Sequence, residues 1–131
     1  MSVNVEGRPR EIVPIVRDEI YRIVREALRN AFRHAEAGRI QVEVRYAPRV
    51  LRVRIRDDGK GVDQEVVDRG GRARHYGLAG MRERAELVKG TLTVWSERGA
   101  GTEVEVTIPA SVAYATSSTA RQSASSKEPI E

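Results

Sequence analysis

Ile40-Gln-Val-Glu-Val-Arg-Tyr46, a turn at Ala47-Pro48, and then Val50-Leu-Arg-Val-Arg-Ile-Arg-Asp57 is the stretch on which the fold turns. Ile40, Val42, Val44 and Tyr46 make one apolar row, and Val50 or Leu51, Val53 and Ile55 make the next. Gln41, Glu43, Arg45, Arg52, Arg54 and Arg56 point the other way. A strand turns successive side chains to opposite sides, so this period of two spells an antiparallel hairpin with one face buried and one wet.

Upstream, Val3 to Glu6 reads as a short strand ended by Gly7 and Pro9. From Ile15 onward Val16, Ile20, Ile23, Val24, Ala27, Leu28, Ala31 and Ala35 recur three and four apart, which predicts one long amphipathic helix. Pro14 is tolerated in its first turn, and Gly38 is expected to end it. Downstream, Asp57 to Gly61 is a glycine loop and Val62 to Asp68 a short helix. Arg69-Gly-Gly-Arg-Ala-Arg-His-Tyr76 has no periodicity and reads as a mobile loop. Leu78, Met81, Ala85 and Leu87-Val88 predict a second helix closed by Lys89-Gly90. Thr91 to Ser96 and Thr102 to Ile108 form a second hairpin around Glu97 to Gly101, and Pro109 stops it. The expected class is α+β, a two-layer sandwich whose mixed, mostly antiparallel sheet is covered on one face by helices. The domain is expected over residues 1–110. Residues 111–131, which after Tyr114 are almost all Ser, Thr and Ala with scattered charge, are expected to be a disordered tail.

The 131 residues are enough for one domain with a real core, and 40% hydrophobic against 32% charged residues suits a globular chain. Cysteine is absent, which excludes disulfides, thiolate-bound metals and a thiol nucleophile. No apolar run approaches the roughly 20 residues that span a bilayer. The net charge of +4 comes from mixed signs, 23 basic against 19 acidic residues, and admits anionic partners. Aromatic residues make up only 5%, too few for a base-stacking platform, so nucleic acid is not the expected partner.

Four short motifs carry the chemistry. Glu26, Asn30 and His34 stand at i, i+4 and i+8 along one side of the long helix. An asparagine there can offer its carbonyl oxygen to a hard cation such as Mg²⁺, and a glutamate one turn earlier can orient water or accept a proton. His34 or Arg33 could meet phosphate; equally, the group could be an ordinary solvated face. Asp57-Asp-Gly59-Lys-Gly61 ends a strand with a carboxylate placed for an exocyclic amine and two glycines that admit a ligand, although Asp-Gly is also a common turn. Gly77-Leu-Ala-Gly80 opens a helix whose free N–H groups suit phosphate, or it is simply a flexible start. Thr102, after Gly99-Ala-Gly101, could reach a base or be a plain strand residue. The P-loop run and the dinucleotide glycine fingerprint are both missing. Arg22, Arg25, Arg29 and Arg33 form a basic stripe that reads as a solvated face or protein interface before a nucleic-acid one.

On these residues the chain closely resembles the catalytic ATP-binding domain of sensor histidine kinases. The resemblance rests on Glu26-Ala-x-x-Asn30-x-x-x-His34, Asp57-x-Gly59-x-Gly61 and Gly77-Leu-Ala-Gly-Met-Arg-Glu-Arg84 in that order, followed by Gly101-Thr-Glu-Val-Glu-Val-Thr-Ile-Pro109. It covers about residues 3 to 110 and implies the Bergerat fold shared with gyrase and mismatch-repair ATPases. It implies ATP and Mg²⁺ as cofactors. Asn30 would hold the metal, Glu26 would sit by the reacting phosphate, and His34 and Arg33 would lie near phosphate. Asp57 would bind the adenine amine, Gly59 and Gly61 would shape the pocket, Gly77 and Gly80 would flank a lid, and Thr102 would support adenine through water. The same likeness adds Val62, Tyr76, Leu78 and Met81 to the nucleotide-contacting set.

The implied reaction is transfer of the γ-phosphoryl group to a histidine on a dimerisation helix, in two-component signalling with a response regulator. Neither His34 nor His75 looks like that acceptor, so the chain is expected to be a fragment that binds ATP without completing a phosphorelay. It is expected to be monomeric, cytoplasmic, without membrane contact of its own, and part of a membrane-anchored sensor. The alternatives are a serine kinase of the anti-sigma type or an ATPase on the same fold, and a non-catalytic basic binding module.

Overall fold

Both hairpins form, and they join through their second strands. The computed structural model describes residues 1–33, 35–69 and 77–116. Along the chain come β1 (Ser2–Glu6), α1 (Pro14–Arg33), β2 (Ile40–Tyr46), β3 (Val50–Asp57), α2 (Gln64–Arg69), α3 (Leu78–Leu87), β4 (Thr91–Glu97), β5 (Gly101–Pro109) and α4 (Ala110–Ala113). The sheet runs in the order β1-β2-β3-β5-β4. β1 lies parallel to β2, and every other pairing is antiparallel. The expected α+β sandwich with a mixed, mostly antiparallel sheet is what forms.

One face of the sheet carries the core. Ile40 and Val42, then Leu51, Val53 and Ile55, then Val104, Val106 and Ile108, then Leu92 and Val94 point inward. Val16, Ile23, Ala27 and Ala31 of α1 meet them, with Leu78, Met81 and Ala85 of α3 alongside. The alanines let α1 come close to the strands. Glu19 is buried between the two helices, where Arg84 of α3 reaches it at 3.2 Å. The other face is a charge ladder set by register. Arg54 meets Glu43 at 2.9 Å and Arg56 meets Glu103 at 2.7 Å, each pair directly opposed across neighbouring strands. These pairs, half-buried at most, keep that face polar.

Boundaries depart from expectation in three places. α1 ends at Arg33 and not near Gly38, because the Ala35 N–H turns back to the Asn30 carbonyl (3.1 Å) and Glu36 takes a left-handed φ of 50°. α2 starts at Gln64 and takes in Arg69, which was expected to open the loop. The expected domain limit at residue 110 falls short: α4 follows β5 directly, and Ala113 and Tyr114 are buried. Of the other expectations, His34, residues 70–76 of the loop and residues 117–131 of the tail lie outside the described residues. Ile15 and Leu87, expected on apolar helix faces, stand exposed.

Tyr114 explains why the fold continues past Pro109. Its hydroxyl lies 2.7 Å from the Ala47 carbonyl and 3.0 Å from that of Val50, so it closes the β2–β3 turn. Its ring stacks on Tyr46 at 6.3 Å, and the Arg10 guanidinium covers it at 4.1 Å. Burial holds the phenol above its usual pKa. Tyr114→Ala is therefore expected to cost about 3 kcal/mol by lost burial, and Tyr114→Phe about 1 kcal/mol by a lost hydrogen bond. Urea denaturation at neutral pH measures both, and equal, negligible losses would show that the fold ends before residue 111.

Candidate functional site

Three adjacent strands run out of apolar inward residues at the same level. Ile55 gives way to Asp57 on β3, Val104 to Thr102 on β5, and Val94 to Ser96 on β4. Asp57 stands opposite Thr102, and Thr102 opposite Ser96. The result is one polar row across the sheet at the edge of the core. A cavity of about 330 Å³ opens over it, floored by Ile55, Val94 and Val104 and walled by Ala27 and Asn30 of α1, Val67 of α2 and Leu78 of α3. That is the size of a small-molecule site, mostly apolar with a few convergent polar groups.

Asp57 is the buried charge of this row. Its Oδ1 accepts the Gly59 N–H at 2.8 Å. Burial raises its pKa above the ordinary carboxylate value, Gly59 and Thr102 N–H groups oppose that rise, and the charge of Asp58 adds to it. Asp58 behaves oppositely. It points outward and accepts the Gly38 and Arg39 N–H groups at 2.8 Å each, which lowers its pKa and ties the loop after α1 to the end of β3.

Gly61 lines the cavity at φ 63°, where a side chain would strike the Glu97 and Gly101 carbonyls. Only glycine lets the loop after β3 lie against the β4–β5 turn in this way. Val62, next along, donates its N–H to Ser96 Oγ at 2.8 Å, and that hydroxyl is also 2.8 Å from Thr102 Oγ1. Gly77 caps α3 at φ 67°, with the Glu26 carboxylate beside it, 2.6 Å from where a Cβ would stand.

Of the expected site residues, Asn30, Asp57, Gly61, Val62, Leu78 and Thr102 line the cavity, with Gly59 bonded to Asp57 beneath it. Glu26 and Gly77 meet each other just outside. Arg33 and Gly80 are exposed and do not reach it, and the Met81 side chain is wholly buried in the core beneath α3. His34 and Tyr76 lie outside the described residues. Sequence reasoning missed Ser96, Lys60 and Arg98. Ser96 left a signal, a hydroxyl at an inward position after Leu92 and Val94. Lys60 and Arg98, at the rim and paired with Glu36 (3.1 Å) and Asp63 (3.4 Å), left none beyond their charge.

The chain and its fold are similar to known proteins. A family model described as histidine kinase-, DNA gyrase B-, and HSP90-like ATPase matches residues 15–112. The sensor histidine kinase LiaS of Bacillus subtilis is 40% identical over 94 residues, which is 72% of this chain and 25% of that protein. The signal transduction histidine-protein kinase/phosphatase DegS of the same organism is 32% identical over 108 residues, 82% of this chain and 28% of that one. The chain thus spans about a quarter of the length of these relatives. Among solved structures, a histidine kinase domain from the blue-light activated histidine kinase of Erythrobacter litoralis EL346 superposes with a TM-score of 0.61 at 27% identity. It covers 84% of this chain and 55% of that one.

The two neighbouring aspartates should give stability opposite pH dependences. Asp57, raised in the folded state, contributes most below the unfolded Asp value and loses that contribution as pH rises through its folded value. Asp58, lowered, contributes above the unfolded value and loses it as pH falls. Urea melts between about pH 3 and pH 7 test this. The stability of Asp57→Asn relative to wild type should climb with pH, and that of Asp58→Asn should drop; parallel curves would refute the assignment.

Proposed function

The chain belongs to the histidine kinase-, DNA gyrase B-, and HSP90-like ATPase family, as an ATP-binding catalytic domain of the sensor histidine kinase kind, and from that premise we propose how its cavity works. ATP lies over the polar row, and its γ-phosphoryl group passes to a histidine on a dimerisation helix of the larger protein. The observation that carries this reading is Asp57, an acceptor-only carboxylate buried at the end of an apolar slot. Adenine offers an exocyclic amine to such a group, with flat apolar faces for Ile55, Val94 and Val104. A base presenting a carbonyl there would meet like polarity, at the full cost of an unpaired buried group.

The phosphates then extend toward Asn30, whose amide oxygen suits Mg²⁺. Among the described residues no three His, Cys, Asp or Glu side chains gather to hold a metal by themselves. Mg²⁺ prefers oxygen ligands, and the Asn30 amide oxygen would supply one. Bound Mg²⁺ supplies neutralisation of phosphate charge. Glu26, one helical turn before Asn30, takes the proton that the acceptor imidazole gives up as its nitrogen bonds to phosphorus and the bond to the departing ADP oxygen breaks. The chain's own contribution is mainly positioning and electrostatics. A response regulator would receive the phosphoryl group in turn. No helix among the described residues is long and apolar enough to cross a membrane. We place the domain on the cytoplasmic side of an anchored sensor, where ATP is available, and monomeric by itself.

Calorimetry with ADP and a non-hydrolysable ATP analogue tests the binding assignments. Asp57→Asn should lose about 2 kcal/mol of affinity, roughly thirtyfold, for both ligands. Asn30→Ala should lose affinity for the triphosphate with Mg²⁺ present and little without it. Equal ADP affinity in Asp57→Asn would remove adenine from this site, and a metal-independent loss in Asn30→Ala would remove the metal from Asn30.

Transfer is tested separately. With Mg-ATP alone the chain should gain no acid-labile phosphohistidine, and with a supplied acceptor-helix domain it should phosphorylate that domain slowly, for want of the effective concentration a covalent link provides. Self-phosphorylation that survives His34→Ala and His75→Ala would favour a serine kinase instead.

A further inference from the structure

Among the described residues β4 is the last strand of the sheet and pairs only with β5. An edge strand leaves N–H and C=O groups of alternate residues without a neighbour. On this edge the neighbour is a side chain. Gln64, the first residue of α2, donates from Nε2 to the Val94 carbonyl at 3.0 Å and accepts the Ser96 N–H on Oε1 at 2.8 Å. Its planar amide presents donor and acceptor to two strand residues as a paired strand would. The same nitrogen reaches Asp68 Oδ1 at 3.0 Å, which fixes the rotamer against the next turn of α2.

The bonds then return to the cavity. Ser96, held by Gln64 through its backbone, accepts the Val62 N–H on Oγ (2.8 Å) and lies 2.8 Å from Thr102 Oγ1. Val62 is two residues before Gln64, so the segment between them, with Asp63, is bonded to β4 at both ends. Val62, Asp63, Ser96 and Thr102 all line the cavity; Gln64 does not. We propose that Gln64 is a positioning residue for the nucleotide, setting one wall of the cavity by acting as a surrogate strand on the edge of β4. The inference rests on the cavity being the nucleotide site.

The amide chemistry supplies a test that general destabilisation would not mimic. Gln64→Leu removes both bonds. Gln64→Glu keeps an acceptor for the Ser96 N–H but turns a second acceptor toward the Val94 carbonyl and the Asp68 carboxylate, until acid protonates it and restores a donor. Affinity and dissociation rate of a fluorescent ADP analogue are measured for wild type and both variants across acid to neutral pH. Each affinity is taken relative to wild type at the same pH, which cancels titration of Asp57. Gln64→Leu should bind about tenfold more weakly at every pH and release faster. Gln64→Glu should be as weak at neutral pH and recover toward wild type on acidification. Variants that match wild type throughout, or a Gln64→Glu deficit with no acid recovery, would overturn the proposal. If wild type itself fails to bind the analogue, the nucleotide reading falls, and amide hydrogen exchange in the ligand-free chain decides the latch. Faster exchange at Ser96 and Val62 in Gln64→Leu, with β2 and β3 unchanged, supports it; unchanged exchange at those two amides refutes it.

Discussion

The change from apolar to polar at one level across β3, β5 and β4 governs the rest of the architecture. Ala27, Ala31 and Ile23 can seal against Val53, Val106 and their neighbours because nothing there needs a hydrogen bond. Asp57 cannot be sealed the same way, since an apolar cover would strand a charge, whereas Ser96 can be buried because its hydroxyl is bonded to Val62 and Thr102. The helices therefore close over the lower part of the sheet and stand apart over the polar row. A cavity follows from where the sequence stops being apolar. Asp57 carries the consequence in its raised pKa: burial disfavours its ionised form more than the Gly59 and Thr102 N–H groups favour it.

Local signals were enough for the two hairpins, the long helix and the layered class, but not for the strand order or for α4. Alternation over Ile40–Asp57 and Thr91–Ile108 marked both hairpins, because each strand has one wet face and period two survives intact. The spacing of Val16, Ile23, Ala27 and Ala31 marked α1 for the same reason. Its true end was hidden, since Ala35 continues the apolar spacing after the backbone has already turned back on Asn30. Tyr114 was hidden too. Its anchors are carbonyls at Ala47 and Val50, 67 and 64 residues away, and no window of sequence brings them together.

The site divides along the same line. Asp57, Gly61 and Asn30 announced themselves through motif order, and they do share one cavity. Ser96 and Gln64 become significant only through register, which places a hydroxyl beside Thr102 and an amide beside an open strand edge. Met81 shows the reverse error, a residue inside a telling motif whose side chain serves packing. A motif names a segment, and the direction of each side chain within it is set by the elements on either side.

One further feature reaches beyond the cavity. The residues leading into α1 and those leaving α4 are joined by backbone bonds, Val13 N–H to the Ala113 carbonyl at 2.9 Å and Ala115 N–H to the Glu11 carbonyl at 2.8 Å, around an antiparallel bridge of Ile12 and Tyr114. The two flanks therefore form a mechanical clasp. A pull that separates the two flanks would load this short antiparallel seam. The helix that carries Asn30 and the strand that carries Thr102 are thereby anchored to the same corner.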